Sequence, residues 1–184
     1  MTGHHEGTLP PWLKFLDETS KVLTGVTAIT ILYTRSVGIA YFGAGALACT
    51  LGAKAIKKAI RQQRPVGGHR KKISYGMPST HASGATFYMT YVPLACMYLE
   101  VHRSLPLWAG LVAPAVVVPW MGAIMYSRVT LGHHTWAQVA GGFAWGVLAA
   151  SVWFVLWSGD AGGVQTLGAA LEVWAGKVLA EWGW

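Results

Sequence analysis

Basic side chains recur at helical spacing in the segment KAIKKAIRQQRP, near the middle of the chain. Residues three and four positions apart share one face of an α-helix, so the pattern predicts a basic face on a helix that Pro65 ends. The members of this face are Lys54, Lys57, Arg61 and Arg64. Such a face can bind the headgroups of anionic lipids or neutralise the oxygens of a bound phosphate, and the spacing leaves both interpretations open. The loop residues Arg70, Lys71 and Lys72 are interpreted as a solvated or headgroup-binding patch.

The segment GMPSTHAS has the features of an anion site. Pro78 suits the first position of a helix, where the missing N–H of proline costs little. The amides of Ser79, Thr80 and His81 would then lie at a helix N-terminus, where backbone N–H groups bind anions. His81 also places an imidazole at the mouth of an apolar segment, where ionisable side chains are usually functional. The alternative interpretation is a helix N-cap beside an incidental histidine.

A third polar cluster lies in the segment SRVTLGHHTWAQ. The planar guanidinium of Arg128 matches the geometry of phosphate oxygens. His134 and Gln138 are four residues apart and share a face if a helix begins near them. A nucleophilic histidine needs one ring nitrogen free and the other N–H held by an acceptor, and the Gln138 carbonyl oxygen can be that acceptor. His133 is out of phase with Gln138 and is interpreted as a bystander; the alternative for Gln138 is simple packing along the helix.

Carboxylates are missing from the sequence around these clusters. None lies between Thr19 and Leu99 or between Val101 and Gly159. Because Mg²⁺ and Ca²⁺ prefer carboxylate oxygens, we expect a site for neither metal, and no cofactor is predicted. Cations, hydroxyls and two histidines are instead the composition of a metal-free phosphoryl-transfer site. The cations neutralise the phosphoryl oxygens, one histidine attacks phosphorus and the other protonates the leaving group.

Membrane-spanning helices are predicted to position these clusters. Apolar residues make up 53% of the 184 residues and charged residues only 11%, against about 25% in soluble proteins. Since a span takes about 20 mostly apolar residues, we predict an all-α integral membrane protein, one domain over residues 1–184 with about five transmembrane helices. The predicted spans are Ser20–Thr34, Ser36–Ala53, Ser79–Leu99, Ser104–Ser127 and Thr135–Trp157. The first is short and is expected to extend back over Trp12–Leu16 or to tilt.

The order of the spans predicts where the polar clusters lie. The connections 61–77 and 128–134 both follow even-numbered helices and are therefore expected on one face of the membrane, together with the start of the third helix. In the tail, the apolar residues of Val164–Trp184 recur at helical spacing, which predicts an amphipathic helix in the membrane interface. That stripe consists of Leu167, Leu171, Trp174, Val178 and Trp182.

The remaining features of the sequence have plainer interpretations. The N-terminus lacks a basic region leading into an apolar run, so no cleaved signal peptide is expected. His4 and His5 are interpreted as solvated. Cys49 and Cys96 both lie in apolar runs and are predicted to be buried free thiols.

Taken together, the motifs resemble the three signatures of the type 2 phosphatidic acid phosphatase (PAP2) superfamily. The matching residues are Lys57-x6-Arg64-Pro65, Pro78-Ser79-Thr80-His81 and Ser127-Arg128-x5-His134, which lie within the core 57–138. The resemblance implies a PAP2-like helical bundle and a phosphohistidine intermediate. It also implies that His134 is the nucleophile and His81 the general acid. The residues that it implies bind phosphate are Lys57, Arg64, Ser79, Thr80 (at least through its amide) and Arg128.

Two positions depart from the usual family motifs. Thr80 replaces a glycine, and Gln138 replaces an aspartate. The segments YGMPSTH and SRVTLGHHTWAQV nevertheless resemble the dolichyl diphosphatase branch, which reads YGMPSSH and SRVYL-x-YHTWSQV and also has glutamine at the second position. This branch removes the terminal phosphate of dolichyl diphosphate at the luminal face of the endoplasmic reticulum, which recycles the lipid carrier for protein N-glycosylation.

The resemblance implies a polyprenyl diphosphate lipid as the partner, and no nucleic acid. Two alternatives remain: a broader lipid phosphate phosphatase, acting on phosphatidate or other polyprenyl diphosphates, and a non-catalytic membrane protein that binds or transports anions. The excess of Lys and Arg on the motif side would place that side in the cytoplasm, whereas the family places its site in the lumen. Catalytic cations distort such a count, so we follow the family. The oligomeric state is left open.

Overall fold

The computed structural model describes residues 10–65, 74–159 and 163–181, and within these ranges the chain forms six α-helices and no strand. The predicted all-α fold is therefore confirmed. The helices are α1 (Pro11–Thr34), α2 (Val37–Ile60), α3 (Thr80–Tyr98), α4 (Ala109–Thr130), α5 (Trp136–Ser158) and α6 (Gly163–Glu181). The sequence predictions for His4, His5, Arg70, Lys71, Lys72 and Trp182 lie outside the described residues.

Helix α3 is the centre of the bundle and packs most extensively against α5 and α4, and next against α2. The contact with α5 is close because α5 presents glycines to α3. A Cβ atom at Gly142 would lie 2.6 Å from the carbonyl oxygen of Ser79, and one at Gly146 would lie 2.6 Å from that of Ser83. Any larger residue would separate the two backbones, so these glycines bring the start of α3 next to the start of α5.

Aromatic packing fixes the other half of the bundle. Phe42 of α2, Phe87 and Tyr91 of α3 and Phe154 of α5 form one cluster, with ring centroids 5.1–5.9 Å apart in the contacting pairs. These separations are typical of favourable aromatic pairs. The cluster lies away from the polar motifs and holds α2, α3 and α5 in register.

Three of the described helices, α2, α4 and α5, are long and apolar enough to cross a membrane. The chain is therefore suited to membrane insertion, and many large apolar side chains, such as Leu32, Leu111 and Val155, face outward. Helices α1 and α3 do not reach the same criterion. In α3 the reason is a set of polar residues that includes Ser83 and Thr86, which are fully buried against neighbouring helices.

Several helix boundaries differ from the predictions. Helix α1 begins at Pro11, so the first predicted span does extend back over Trp12–Leu16. Helix α2 ends at Ile60, and the prediction that it continues to Arg64 is wrong. The reason is that Arg61 adopts a left-handed conformation, with φ of 54°, and its N–H caps the helix on the Lys57 carbonyl.

The last helix packs beside the start of α2. The N–H of Val37 donates to the carboxylate of Glu172, and the backbone of Gly168 lies against the ring of Trp157. Leu167 and Leu171 remain exposed, which suits the interfacial helix that the sequence predicts. The prediction of free cysteines is confirmed for Cys49 and Cys96, the first buried and the second partly buried.

Candidate active site

The three polar motifs meet at one end of the bundle, as the order of the helices predicts. The N–H of Ser79, at the start of α3, donates to the carbonyl oxygen of Gln138 in the first turn of α5 (3.0 Å). The N–H of Gly76 donates to the carbonyl oxygen of Gln62, which follows α2 (2.6 Å). These two backbone hydrogen bonds join the segment that precedes α3 to both other motifs.

His134 lies in the short connection between α4 and α5 and is almost fully buried. Its backbone N–H donates to the carbonyl oxygen of Arg128 (3.1 Å), which fixes the turn that follows α4. Its Nδ1 lies 3.2 Å from Oε1 of Gln138, so the contact predicted from the four-residue spacing is confirmed. Thr135 and Gln138 form a capping box that starts α5 and holds Gln138 in place.

Gln138 makes further hydrogen bonds that the sequence did not predict. Its Nε2 donates to the carbonyl oxygen of Gln63 (2.8 Å) and to Oε1 of Gln62 (3.2 Å). Its Oε1 also accepts from the N–H of Thr135 (3.3 Å). The side chain is only 1% exposed, and the amide joins the end of the first motif to the proposed nucleophile. A QQ pair in a polar loop has no helical or strand periodicity, so the sequence contained no signal for these contacts.

The surroundings of His134 keep its imidazole neutral. Burial lowers the pKa of His134 from 6.5 to about 3, and the positive charges of Arg64, Lys57 and His81 act in the same direction. The hydrogen bond with Gln138 opposes this shift but does not outweigh it. These are the cationic or ionisable groups of the first two motifs, so both motifs direct positive charge towards His134.

The basic residues after the middle of α2 do not form the single helical face that the sequence predicts. Lys57 is buried in the last turn of α2, whereas Lys54 and Arg61 are exposed. Because α2 ends early, Arg64 lies beyond the helix, where its Nε donates to the carbonyl oxygens of Ser74 (3.1 Å) and Tyr75 (3.2 Å). The structure thus separates Lys57 and Arg64, on the side of His134, from the exposed cations.

The start of α3 also differs in detail from the prediction. Pro78 precedes the helix, and Ser79 is the N-cap, whose Oγ accepts from the N–H of Ala82 (3.4 Å). The prediction that Ser79 has a free amide is wrong, because that N–H is bonded to Gln138. The amides of Thr80 and His81 occupy the first two positions of the helix.

Arg128 is fully buried at the end of α4, and its partners include a carboxylate. Its guanidinium donates to Oδ1 of Asp17 (2.8 Å), to the carbonyl oxygen of Leu16 (3.0 Å) and to Oγ of Ser127 (3.0 Å from Nη2). The interpretation that no carboxylate lies near the site is therefore wrong. The reason is the early start of α1, which makes Asp17 part of a helix that packs against α4.

His133 points to a different neighbour from His134. Its Nε2 lies 3.3 Å from Oδ1 of Asp17, and its backbone N–H donates to the carbonyl oxygen of Arg128 (3.0 Å). The two adjacent histidines thus contact different partners: His134 contacts Gln138, and His133 contacts Asp17. This arrangement agrees with the interpretation of His133 as a bystander to the nucleophile.

A cavity of about 510 Å³ adjoins the site and lies between α1, α2 and α3. At one end it is lined by Lys54, Thr80 and His81. From there its lining is mostly apolar or small, with Gly43 and Ala46 on α2 and further members on α1 and α3. The cavity therefore combines a polar end beside the motifs with a largely apolar body, as a phosphorylated lipid requires.

Comparison with known proteins identifies the family. The PAP2 superfamily model matches residues 30–160, which is more than half of the chain. The chain belongs to the PAP2 superfamily. A solved PAP2 structure, the first transmembrane PAP2-type phosphatidylglycerolphosphate phosphatase from Bacillus subtilis, superimposes with a TM-score of 0.61 over 79% of this chain and 77% of that chain, at 19% identity. This similarity supports the fold of the PAP2 bundle.

Curated relatives are more similar in sequence. Dolichyldiphosphatase 1 of Callithrix jacchus is 35% identical and that of Homo sapiens 34%, each over 73% of this chain and 58% of the relative. Lipid phosphate phosphatase gamma of Arabidopsis thaliana is 35% identical over 54% of this chain and 44% of that protein. The chain thus spans 58% of the length of the two dolichyldiphosphatases and 44% of the length of the plant phosphatase.

Proposed function

We propose that this PAP2 protein hydrolyses dolichyl diphosphate, or a closely similar polyprenyl diphosphate, to the lipid monophosphate and phosphate. The observation that carries the proposal is the neutral, buried His134, which is held by Gln138 and whose pKa is lowered by burial and by the positive charges of Arg64 and Lys57. A neutral imidazole has a lone pair for attack, and nearby cations stabilise the charge that develops on phosphoryl oxygens.

In the first step, Nε2 of His134 attacks the terminal phosphorus of the lipid diphosphate. A nitrogen–phosphorus bond forms while the bond from phosphorus to the bridging oxygen breaks, and the lipid monophosphate leaves with the bonding electron pair. Lys57, Arg64 and Arg128 bind the phosphoryl oxygens, together with the Ser79 hydroxyl and the Thr80 amide. Because Arg128 is already paired with Asp17, its guanidinium is held in one orientation before the substrate binds.

In the second step, water attacks the phosphohistidine and releases inorganic phosphate. We assign to His81, in the first turn of α3, the role of giving a proton to the leaving group in the first step and taking one from water in the second. A lipid monophosphate is a much better leaving group than an alkoxide, since its comparable ionisation lies near pH 6 (about 6 for a phosphate monoester). Proton donation by His81 is therefore needed less for a diphosphate than for a monoester.

The lipid part of the proposal rests on the cavity between α1, α2 and α3. Its polar end carries Lys54, Thr80 and His81, and its apolar body leads away from the phosphate-binding motifs. This arrangement suits one polyprenyl chain with its diphosphate at the motif end. The names of the dolichyldiphosphatase relatives support the same substrate class.

The location follows from the same proposal. We infer an endoplasmic reticulum membrane protein with a luminal site, which would return the lipid carrier for protein N-glycosylation. Glycosylation accessibility of tags placed near Arg61 and near Ser158 would test the sidedness, since a luminal site requires the first tag alone to be modified.

A broader lipid phosphate phosphatase is the second candidate, and it is favoured by the similarity to lipid phosphate phosphatase gamma. A non-catalytic anion-binding protein is the third. One assay separates them: purified protein in detergent with EDTA is given dolichyl diphosphate, dolichyl phosphate or phosphatidate, and released phosphate is measured, with the His134→Ala variant as control. We expect phosphate to be released fastest from dolichyl diphosphate, and we expect this release to continue in the presence of EDTA.

Each of the other outcomes contradicts the proposal in a different way. Similar release from all three lipids would support the broad phosphatase, and no release from any would support the binding protein. If EDTA abolished the activity and Mg²⁺ restored it, the reaction would need a metal ion. That result would contradict the metal-free mechanism through His134.

A further inference from the structure

The orientation of the Gln138 amide can be read from two backbone groups. The carbonyl of Gln63 can only accept a hydrogen bond, and it lies 2.8 Å from Nε2 of Gln138. The backbone N–H of Thr135 can only donate, and it lies 3.3 Å from Oε1. Reversing the amide would place oxygen against oxygen on one side and N–H against N–H on the other. The amide nitrogen therefore faces the loop after α2, and the amide oxygen faces His134.

This orientation determines the tautomer of His134. Because Oε1 of Gln138 can only accept, the neutral ring must carry its proton on Nδ1. Nε2 then holds the lone pair, and it is the atom that can attack phosphorus. A carboxylate at position 138 would set the same tautomer, but its second oxygen would face the carbonyl of Gln63 and Oε1 of Gln62. The loop after α2 thus requires an amide rather than an acid at this position.

Gly76 closes the amide in from the remaining side. A Cβ atom at Gly76 would lie 2.5 Å from Cδ and 2.6 Å from Oε1 of Gln138, and closer still to Nε2. Among the described glycines only Gly132 has a positive φ, so the need for glycine at position 76 is one of space. The hydrogen bond from the Gly76 N–H to the Gln62 carbonyl holds this backbone against the amide.

We propose that Gly76 and Gln62 are positioning residues that act through Gln138 to hold His134 in its Nδ1–H tautomer, an inference that rests on the proposed function for its catalytic consequence. Gly76 confines the amide by contact, and Gln62 accepts from its nitrogen. The segment before α3 and the loop after α2 thereby orient His134, which lies on the connection between α4 and α5. Neither residue touches the substrate.

A double-mutant cycle tests the role of Gly76. Gly76→Ala pushes on the end of a flexible side chain rather than on backbone, so the fold should survive while the amide moves. A misplacement of about 1 Å in a catalytic group can cost about 10²-fold in rate, and we expect a loss of about this size in kcat with little change in KM. Gly122→Ala is the matched control, because a Cβ atom there meets nothing within 4 Å.

The double variant Gly76→Ala/Gln138→Ala gives the decisive comparison. If Gly76 acts only through the amide, the double variant should be no worse than Gln138→Ala alone, because the amide that the new methyl displaces is already gone. Losses that multiply would overturn the proposal, and so would a Gln138→Ala variant with the activity of the wild type.

The role of Gln62 is tested by a pair of substitutions. Gln62→Ala removes one of the two acceptors of the Gln138 nitrogen and leaves the Gln63 carbonyl, so it should lower kcat, whereas Gln62→Glu keeps an acceptor oxygen and should recover most of the loss. Equal activity of Gln62→Ala and the wild type would remove Gln62 from the network.

A spectroscopic measurement tests the inference without relying on catalysis. In ¹⁵N-histidine-labelled protein in detergent at pH 7, the signals of His134 are assigned as those missing from His134→Asn. We expect the Nδ1–H tautomer in the wild type and in Gly122→Ala, and a shift towards the Nε2–H tautomer in Gly76→Ala. An unchanged tautomer in Gly76→Ala would overturn the proposal. If no lipid were hydrolysed, the proposed function would fail while this result still decided the positioning.

Discussion

At the scale of single residues, the two adjacent histidines give the sharpest contrast. His134→Ala should abolish turnover and leave no phosphorylated intermediate, because the atom that attacks phosphorus is removed. His133→Ala should keep measurable turnover, since this ring contacts Asp17 rather than Gln138. Reactions with terminally ³²P-labelled lipid diphosphate would detect the intermediate if they are quenched in alkaline detergent, because the nitrogen–phosphorus bond of phosphohistidine hydrolyses in acid. Loss of the intermediate in the His133 variant alone would move the nucleophile by one residue.

The protonation of His134 provides a second prediction at this scale. Its pKa is lowered to about 3 in the folded protein, against 6.5 for an ordinary histidine, so the unfolded chain binds more protons between these values. The contribution of the neutral ring to stability is therefore complete above pH 6.5 and falls as the pH falls towards 3. In the folded protein, a ¹⁵N titration should show His134 neutral throughout the range from pH 8 to 5.

Substitution of the neighbouring cations should change that titration selectively. Arg64→Ala should raise the pKa of His134, because the positive charge of Arg64 disfavours imidazolium. Arg61→Ala is the matched control: Arg61 is exposed and is not among the groups that shift this pKa. The same rise in both variants would mean that the effect comes from the overall charge of the region rather than from Arg64.

At the scale of helices, the contact between α1 and α4 depends on Asp17. Asp17→Ala should lower both thermal stability and kcat, because it leaves the fully buried guanidinium of Arg128 without its carboxylate. Loss of a partner by a buried polar group costs about 1–3 kcal/mol, and we expect the lower part of this range because the Asp17 side chain is 36% exposed. Asp17→Asn keeps an acceptor oxygen, so its thermal stability and kcat should lie between those of the wild type and those of Asp17→Ala.

The neighbouring acid supplies the control for this experiment. Glu18→Ala removes the same charge one residue away, but Glu18 is exposed and pairs with Lys21. Exposed ion pairs of this kind contribute little, typically about 0–1 kcal/mol. Thermal melts in detergent and phosphate release should therefore match the wild type for Glu18→Ala. Equal losses at both positions would show a general effect of charge on α1 rather than a specific contact with Arg128.

At the scale of the whole molecule, the cavity between α1, α2 and α3 is the feature to test. A Cβ atom at Gly84 meets only Oγ1 of Thr50, at an ordinary 3.6 Å, so Gly84→Ala fits without strain. Gly84→Leu extends a larger side chain into the cavity. We expect Gly84→Leu to raise KM for a long-chain polyprenyl diphosphate and to leave isopentenyl diphosphate hydrolysis little changed, with Gly84→Ala as the control. A proportional loss on both substrates would place the lipid chain elsewhere.

Much of the molecule could be predicted because its signals are local. Apolar runs indicated the helices, and Pro78, Gln138 and the cationic residues marked the motifs. The contact between His134 and Gln138 was expected from their separation of four residues, although His134 lies just before α5 and the capping box of Thr135 and Gln138 starts that helix. The meeting of the three motifs at one end followed from the order of the helices.

The predictions failed or stopped where contacts join residues that are distant in the chain. No periodicity indicated that α2 would end at Arg61, because the left-handed cap is a conformational choice of one residue. Asp17 lies 111 residues from Arg128, and Gln62 lies 76 residues from Gln138. Such partners are chosen by the packing of whole helices, which sets α1 against α4 and brings Asp17 to Arg128.

The sequence by itself thus determined the types of candidate catalytic group and their order, because each motif lies within a short segment of the chain. Only the tertiary structure decided which atom of each group faces which partner. The amide of Gln138 is oriented by the carbonyl of Gln63 and enclosed by Gly76, and both constraints arise from backbone that folds back over it. A glycine in a polar loop and a glutamine pair carry no pattern of their own, and they become informative once packing brings them against Gln138, the partner of His134.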